Sequence, residues 1–242
     1  MASLTRAFEK ALRLLRREAP ILPGELDVAE LPALLGRDDP VILDIGCNDG
    51  YHTLRFLELF RHARVYAFEP DPRAQERFRQ NVRDERAKLF ELAISAVDGE
   101  VDFHMSDGHP SASWREQLPG GWDLSGSIRT PKAHRQLHPW CTFDQRVKVS
   151  TRRLDSWCAE EGIGAIDLIW ADVQGAEVDL IDGGRSALAR TRWLYTEYSD
   201  RELYEGQITL AKMLALLPDF RVVKRFPNDV LLRNAGRPQT TR

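Results

Sequence analysis

The stretch Val41-Ile42-Leu43-Asp44-Ile45-Gly46-Cys47-Asn48-Asp49-Gly50-Tyr51-His52-Thr53-Leu54 decides how the rest of the chain is read. From Val41 to Ile45 it is apolar except for one acid, Asp44, near its carboxyl end. A short apolar run bounded by turn residues reads as a buried strand. Gly46 and Gly50 allow left-handed backbone or close approach of another segment. Asn48 and Asp49 tolerate turn conformations and can cap a following helix. The pattern is strand, tight turn, helix. Ligands of open α/β sheets sit outside the carboxyl ends of the strands. An acid and two glycines at that place suggest a cofactor cradle.

Working outward, residues 52–61 read as a helix and 64–68 as a second strand, ending in Glu69-Pro70-Asp71-Pro72. Asp71 suits a helix cap and Pro72 a first helical turn, so a helix follows over 73–82. Residues 88–94 form a third expected strand, and Asp98-Gly99 is a hairpin signal that predicts an antiparallel return over 100–105. Further strands are expected at 147–151, 166–171 and 192–196, with helices at 154–161, after Asp172, and at 209–217. Residues 220–225 and 230–232 read as an antiparallel pair. Strands alternating with helices predict an α/β fold with a mostly parallel, doubly wound sheet and an antiparallel C-terminal strand pair. Residues 1–38 read as a helical extension, 39–234 as one domain, and 235–242 as a disordered tail. Asn234 opens that polar, turn-rich stretch. The extension includes a basic amphipathic helix over 4–17, a candidate dimer element or membrane-surface helix. A second short helix is expected over 28–35.

Residues 106–145 break the rhythm, with Gly, Pro and Ser clusters, Trp114, Trp122, Trp140, His109, His134 and His138. A connection this long suggests a functional loop, here an insert or lid over the site. Its tryptophans suit either a sugar or aromatic platform or a small core of the insert itself.

The 242 residues, 43% of them hydrophobic, suffice for one full core. A net charge of −3 argues against nucleic acid as the partner. No apolar run approaches a membrane span, and the N-terminus lacks a signal-peptide core. Cys47, Cys141 and Cys158 form neither a metal spacing nor a disulfide framework, so a cytoplasmic setting is expected.

The cradle discriminates between cofactors. The dinucleotide fingerprint needs G-x-G-x-x-G, whereas here Asn48 takes the place of the central glycine. Asp44 would also repel phosphate. S-adenosylmethionine fits better, because it carries an ammonium and a sulfonium that an acid attracts. Gly46, Cys47, Asn48 and Gly50 would form the loop beneath it. Glu69, 23 residues after Gly46, is placed to accept hydrogens from the ribose hydroxyls. Ala93 and Ile94 would give small apolar walls to adenine.

Three segments then resemble motifs of the FkbM-type methyltransferases. Asp44-Ile45-Gly46-Cys47-Asn48-Asp49-Gly50-Tyr51 resembles the family's first motif, and Tyr66-Ala67-Phe68-Glu69-Pro70-Asp71-Pro72 its second-strand motif. Asp167-Leu168-Ile169-Trp170-Ala171-Asp172-Val173-Gln174-Gly175-Ala176-Glu177 is similar to its later IDLLKIDVEGAE signature. The resemblance covers residues 40–198 and implies a class I, Rossmann-like fold with methyl transfer from S-adenosylmethionine, typically to a hydroxyl oxygen. Two positions depart from it: Gln174 stands for a usual glutamate and Trp170 for a usual lysine. Both flank Asp172, so an altered acceptor end is expected.

An alcohol acceptor needs a base or a metal near it. Asp172 is the leading candidate base, with a cofactor contact as its other role. Glu197 ends the next strand and reaches toward the same crevice. Together the two acids could hold a magnesium ion, but two carboxylates are a thin basis for one. His138 and His109 are alternative bases if the insert folds over the site. The expected activity is O-methylation of a small-molecule or glycan acceptor. The rivals are an NAD-dependent oxidoreductase and a non-catalytic module of the same fold.

Overall fold

In the computed structural model, which describes residues 20–118 and 120–237, the run at Val41–Ile45 is strand β1 and is buried along its whole length. The other strands are β2 (Arg64–Phe68), β3 (Ala87–Phe90), β4 (Ala93–Ile94), β5 (Gly99–Gly108), β6 (Cys141–Arg152), β7 (Ile166–Ala171), β8 (Thr191–Glu197), β9 (Phe220–Arg225) and β10 (Asp229–Asn234). Seven form one sheet in the order β3-β2-β1-β7-β8-β10-β9. All are parallel except β10, which runs against both β8 and β9. The chain winds outward from β1 to β3, then crosses back to β7 on the other side of β1. The order therefore reverses between β1 and β7, and a crevice opens at their carboxyl ends.

The helices are α1 (Leu31–Leu35), α2 (Tyr51–Leu59), α3 (Pro72–Asn81), α4 (Ala112–Gln117), α5 (His134–Leu137), α6 (Leu154–Glu160), α7 (Glu177–Gly183), α8 (Arg185–Ala189) and α9 (Leu210–Leu216). Successive strand residues point to opposite faces, and two clusters cover the two faces. Leu43 and Ile169 pack with Leu154 and Leu180 on one. Ile42 and Leu168 pack with Phe56 and Leu231 on the other. Each fully buried aliphatic side chain contributes about 1.5–3 kcal/mol. Asp71 caps α3 as its sequence suggests, accepting from the Arg73 N–H at 2.9 Å, with Pro72 in the first turn.

The third strand is where expectation and structure part. Residues 88–94 do not form one strand. β3 pairs with β2 in the main sheet, while β4 leaves it to pair with β6. The hairpin expected at Asp98-Gly99 does not form either, because β5 also pairs with β6, giving a second sheet in the order β4-β6-β5. Asp98 is engaged elsewhere. Its carboxylate accepts from the Arg153 N–H and the Ser156 hydroxyl, both at 2.8 Å, at the start of α6. β5 and β6 also take in both ends of the 106–145 segment.

Asn234 is likewise not part of a loose tail. It ends β10 buried, and its amide donates to the carbonyls of Leu188, Ala189 and Thr191. The expected helix over 4–17 lies outside the described residues, as do residues 238–242 of the tail. No helix among the described residues is long and apolar enough to cross a membrane.

Candidate active site

The floor of the crevice is the turn after β1. Gly46 has φ +83°, and a Cβ on it would lie 1.8 Å from the Asp172 carbonyl oxygen. Only glycine lets the ends of β1 and β7 approach so closely. The Gly46 and Cys47 N–H groups donate to the Phe68 carbonyl at 2.9 and 3.1 Å, fastening the turn to β2. Asn48 sits at φ +46°, which its short polar side chain tolerates. Its N–H donates to Glu69 Oε2 at 2.9 Å, and the Asp71 N–H donates to Glu69 Oε1 at 2.8 Å. Glu69 is thus clamped by two backbone groups at the crevice wall. Burial still pushes its carboxyl up to about 8.

A row of acids closes the opposite end. The register sets Trp170 beside Tyr195 and Glu197 beside Asp229. Two residues beyond Trp170, Asp172 therefore stands next to Glu197. The Gln174 amide joins them, donating to Asp172 Oδ1 at 2.6 Å and to Glu197 Oε2 at 3.0 Å. The Tyr204 hydroxyl lies 3.0 Å from Gln174 Oε1 and 2.9 Å from the Ser125 carbonyl, two acceptors for its one hydrogen. Turning the amide over would set its oxygen against two carboxylates, so the NH₂ group faces the acids. A glutamate at this position, the residue of the resembled motif, would add a third carboxylate instead of two donors.

Asp172 reaches solvent through the crevice mouth, yet the protein around it raises its carboxyl. Glu197 is held well above the usual carboxylate range by burial, then by the charges of Asp172, Glu177 and Asp229. Burial also pushes Asp44, Glu177 and Asp229 up to about 7.

These shifts predict a pH dependence. Unfolded carboxyls titrate near ~4, so from there to about 8 the folded protein keeps protons that the unfolded chain has released. The stability these groups contribute is complete below that lower value and is lost as pH rises through 7 to 8. The Tm of the cofactor-free protein is expected to fall between about pH 5.5 and 8.5. Asp229→Asn should make that fall smaller. A Tm that rose over the same interval would contradict the assignment.

Between floor and acids lies an open crevice at the carboxyl ends of β1, β2 and β7, where ligands of such sheets bind. Phe68, Leu92, Ala93, Ile94 and Phe103 give it an apolar side, and Asn48, Glu69 and Asp172 a polar one. The insert supplies the remaining wall through Asp123, Leu124, Gly126, Ser127 and Ile128. None of these five stands out in the sequence. The one cue there is the run Ser125-Gly126-Ser127, whose small side chains permit close packing; a Cβ on Gly126 would meet the Phe103 ring at 2.5 Å.

The structure brings Gly46, Asn48, Glu69, Ala93, Ile94 and Asp172 together on this wall. Asp44 lies behind it, 1% exposed, accepting from the Thr53 hydroxyl at 2.6 Å. Cys47 points into a cluster with Ala67 and Phe78, and burial raises its thiol well above the normal value. Gly50 opens α2 at φ +88°, where a Cβ would strike Val82 and Phe78. Glu197 reaches the site through Asp172 and Gln174.

His138 is exposed and packs against His134 and Trp140, and neither it nor His109 lines the crevice. Trp122 and Trp140, edge-to-face at 5.0 Å, pack against Cys141, Phe143 and Tyr204 as a small core for the insert, while the exposed Trp114 meets Trp122 edge-to-face at 5.3 Å. Trp170 is also core, between His52 at 4.7 Å and Tyr195 at 4.1 Å, so that departure does not alter the acceptor end directly. Among the described residues no group of three or more His, Cys, Asp or Glu is arranged to hold a metal ion.

The crevice suits S-adenosylmethionine in its chemistry. It has an apolar slab for a base, a carboxylate for a ribose, and acids facing where a cation would sit. None of the described lining residues is Lys or Arg, as a pyrophosphate would favour.

The family model described as Methyltransferase FkbM domain matches residues 44–225. The chain is 53% identical over 210 residues to 2-O-methyltransferase NoeI of Sinorhizobium fredii (strain NBRC 101917 / NGR234), covering 85% of this chain and 84% of that protein. It is 27% identical over 195 residues to 31-O-demethyl-FK506 methyltransferase FkbM of Streptomyces tacrolimicus, covering 75% of this chain and 72% of that one. The crystal structure of Methyltransferase FkbM from Methylobacillus flagellatus KT is similar with a TM-score of 0.51 at 15% identity, a likeness of fold. It covers 86% of this chain and 48% of that one, so this chain spans about half its length. With the motifs at the ends of β1, β2 and β7 converging on one crevice, and the family model spanning all three, this chain belongs to the FkbM family of methyltransferases.

Proposed function

We propose that this S-adenosylmethionine-dependent O-methyltransferase delivers its methyl group to the 2-hydroxyl of a sugar acceptor, with Asp172 as the general base. The observation that carries the role of Asp172 is its carboxylate at the crevice, held by the Gln174 amide at 2.6 Å beside Glu197. Position 2 is supported by the 53% identity to a 2-O-methyltransferase. A sugar is supported by an acceptor end made of carboxylates, which accept hydrogens from a polyol.

S-adenosylmethionine supplies a methyl group already activated on a positive sulfur. The protein must therefore position the acceptor, remove its proton and exclude water. Burial and the charge of Asp172 favour the protonated form of Glu197, which donates to Asp172 and lets the pair share one negative charge. Gln174 holds that charge in place. Asp172 then accepts the hydroxyl proton as the oxygen attacks. Glu69 accepts from the ribose, and Asp44 adds a negative field from beneath. Leu124 and Ile128 of the insert shield the crevice from water. Cys47, Cys141 and Cys158 are all free and buried, which supports placing the enzyme in the reducing cytoplasm.

The test uses methyl-labelled S-adenosylmethionine with a panel of methyl glycosides and their 2-deoxy counterparts. Label should enter only acceptors with a free 2-hydroxyl, and S-adenosylhomocysteine but not NAD should raise the Tm. Equal labelling of a 2-deoxy sugar would overturn position 2. Stabilisation by NAD alone would overturn the cofactor.

A further inference from the structure

Asp123 lies in the insert, yet its side chain is 1% exposed and lines the crevice. Its Oδ2 pairs with the Arg77 guanidinium. Its Oδ1 is buried with no hydrogen-bond partner. A buried carboxylate oxygen is seldom left without a donor, because the desolvation cost then goes uncompensated. A water-filled or liganded crevice beside it provides that donor.

The surroundings indicate which part of a cofactor it would meet. Arg77 also donates to Asn48 Oδ1 at 3.2 Å, and Asn48 donates through its N–H to Glu69. Asp123, Arg77, Asn48 and Glu69 are thus one linked set at the ribose end. The charge of Asp123 is among those that make Glu69 harder to ionise. Arg77 offsets the charge that Asp123 brings to this end.

The segment around Asp123 is fixed on both sides. Trp122 Nε1 donates to Ser125 Oγ at 2.9 Å, and the Ser125 N–H donates to Ser106 Oγ at 3.1 Å. Tyr204 reaches the Ser125 carbonyl from the acceptor side.

We propose that Asp123 is a second ribose-binding carboxylate, whose Oδ1 accepts a hydrogen bond from a ribose hydroxyl of S-adenosylmethionine. The insert would then complete the nucleoside site instead of only covering it. This rests on the cofactor reading above.

The test is calorimetric binding of S-adenosylhomocysteine and of its 2′-deoxy and 3′-deoxy analogues, which needs no acceptor and no turnover. Asp123→Ala is expected to weaken S-adenosylhomocysteine about 10- to 100-fold, the range for a hydrogen bond to a charged group. In the wild-type protein one of the two analogues should bind about tenfold or more weakly. In Asp123→Ala the same deletion should cost only about two- to threefold, because its partner is already gone.

Asp123→Asn keeps an oxygen toward Arg77 and serves if the alanine variant does not fold; its expected loss is about three- to tenfold. A purely structural role would weaken all three ligands equally and leave the hydroxyl penalty unchanged, which would overturn the proposal. Unchanged affinity in both variants would overturn it too. If the wild-type protein bound no S-adenosylhomocysteine, the cofactor reading itself would fall, and this assignment with it.

Discussion

Asp172→Asn is expected to lower kcat by about 10²- to 10⁴-fold, the range that removal of a general base produces. Affinity for S-adenosylhomocysteine should stay within about threefold, since the amide is isosteric and still meets Gln174 and Glu197. The size of the effect follows from the neighbours. Partial removal from water at the crevice end raises the Asp172 carboxyl, which makes it a better proton acceptor than an ordinary aspartate. Burial and the charge of Asp172 hold Glu197 well above the usual carboxylate range, which favours its protonated form over service as the base. An asparagine can occupy the same place but cannot accept a proton.

The kinetic readout is specific. The acid limb of the kcat–pH profile should disappear in the variant and persist in Glu69→Gln. If Asp172→Asn instead lost cofactor affinity as steeply as turnover, Asp172 would be a cofactor ligand and the base would have to be sought elsewhere.

Much of the main sheet is legible in the sequence because its signals are local. Val41–Ile45 and Ile166–Ala171 are apolar runs closed by turn residues, and Asp71-Pro72 announces α3 within two positions. The acids at the strand ends, Glu69 and Asp172, can be read for the same reason. A residue just beyond a parallel strand has nowhere to point but the crevice or its rim.

What escapes a reading of the sequence depends on pairing between distant residues. Ala93 meets Thr151 across almost sixty positions, so nothing near Ala93 shows that β4 has left the main sheet. Asp98-Gly99 carries a sound hairpin signal, but its carboxylate is committed to α6. Asp123 looks like any loop acid until Arg77 and the crevice surround it. Asp44 reads in the sequence as facing the cofactor, and Thr53, nine residues on, turns it inward.

Gly46→Ala tests the closure of β1 on β7. The substitution is expected to abolish measurable S-adenosylhomocysteine binding and to destabilise the protein by about 2–5 kcal/mol. Left-handed backbone costs a non-glycine residue about 1–2 kcal/mol, and forcing an added methyl into a packed site costs about 1–3 kcal/mol more. For a chain of this size the Tm should fall by roughly 4–20 °C. The collision cannot be relieved locally. The new Cβ would lie 1.8 Å from the Asp172 carbonyl, and the Asp172 N–H is itself bonded to the Ile45 carbonyl at 2.9 Å. Relief therefore requires the ends of β1 and β7 to part, which moves Asn48 on one side and Asp172 on the other. Gly162→Ala separates the two contributions. Gly162 also has a positive φ, +66°, but nothing lies within 4 Å of its Cβ position. It should lose only the backbone share of stability and bind S-adenosylhomocysteine normally. Equal losses in the two variants would show that the close approach at Gly46 does not hold the cradle together.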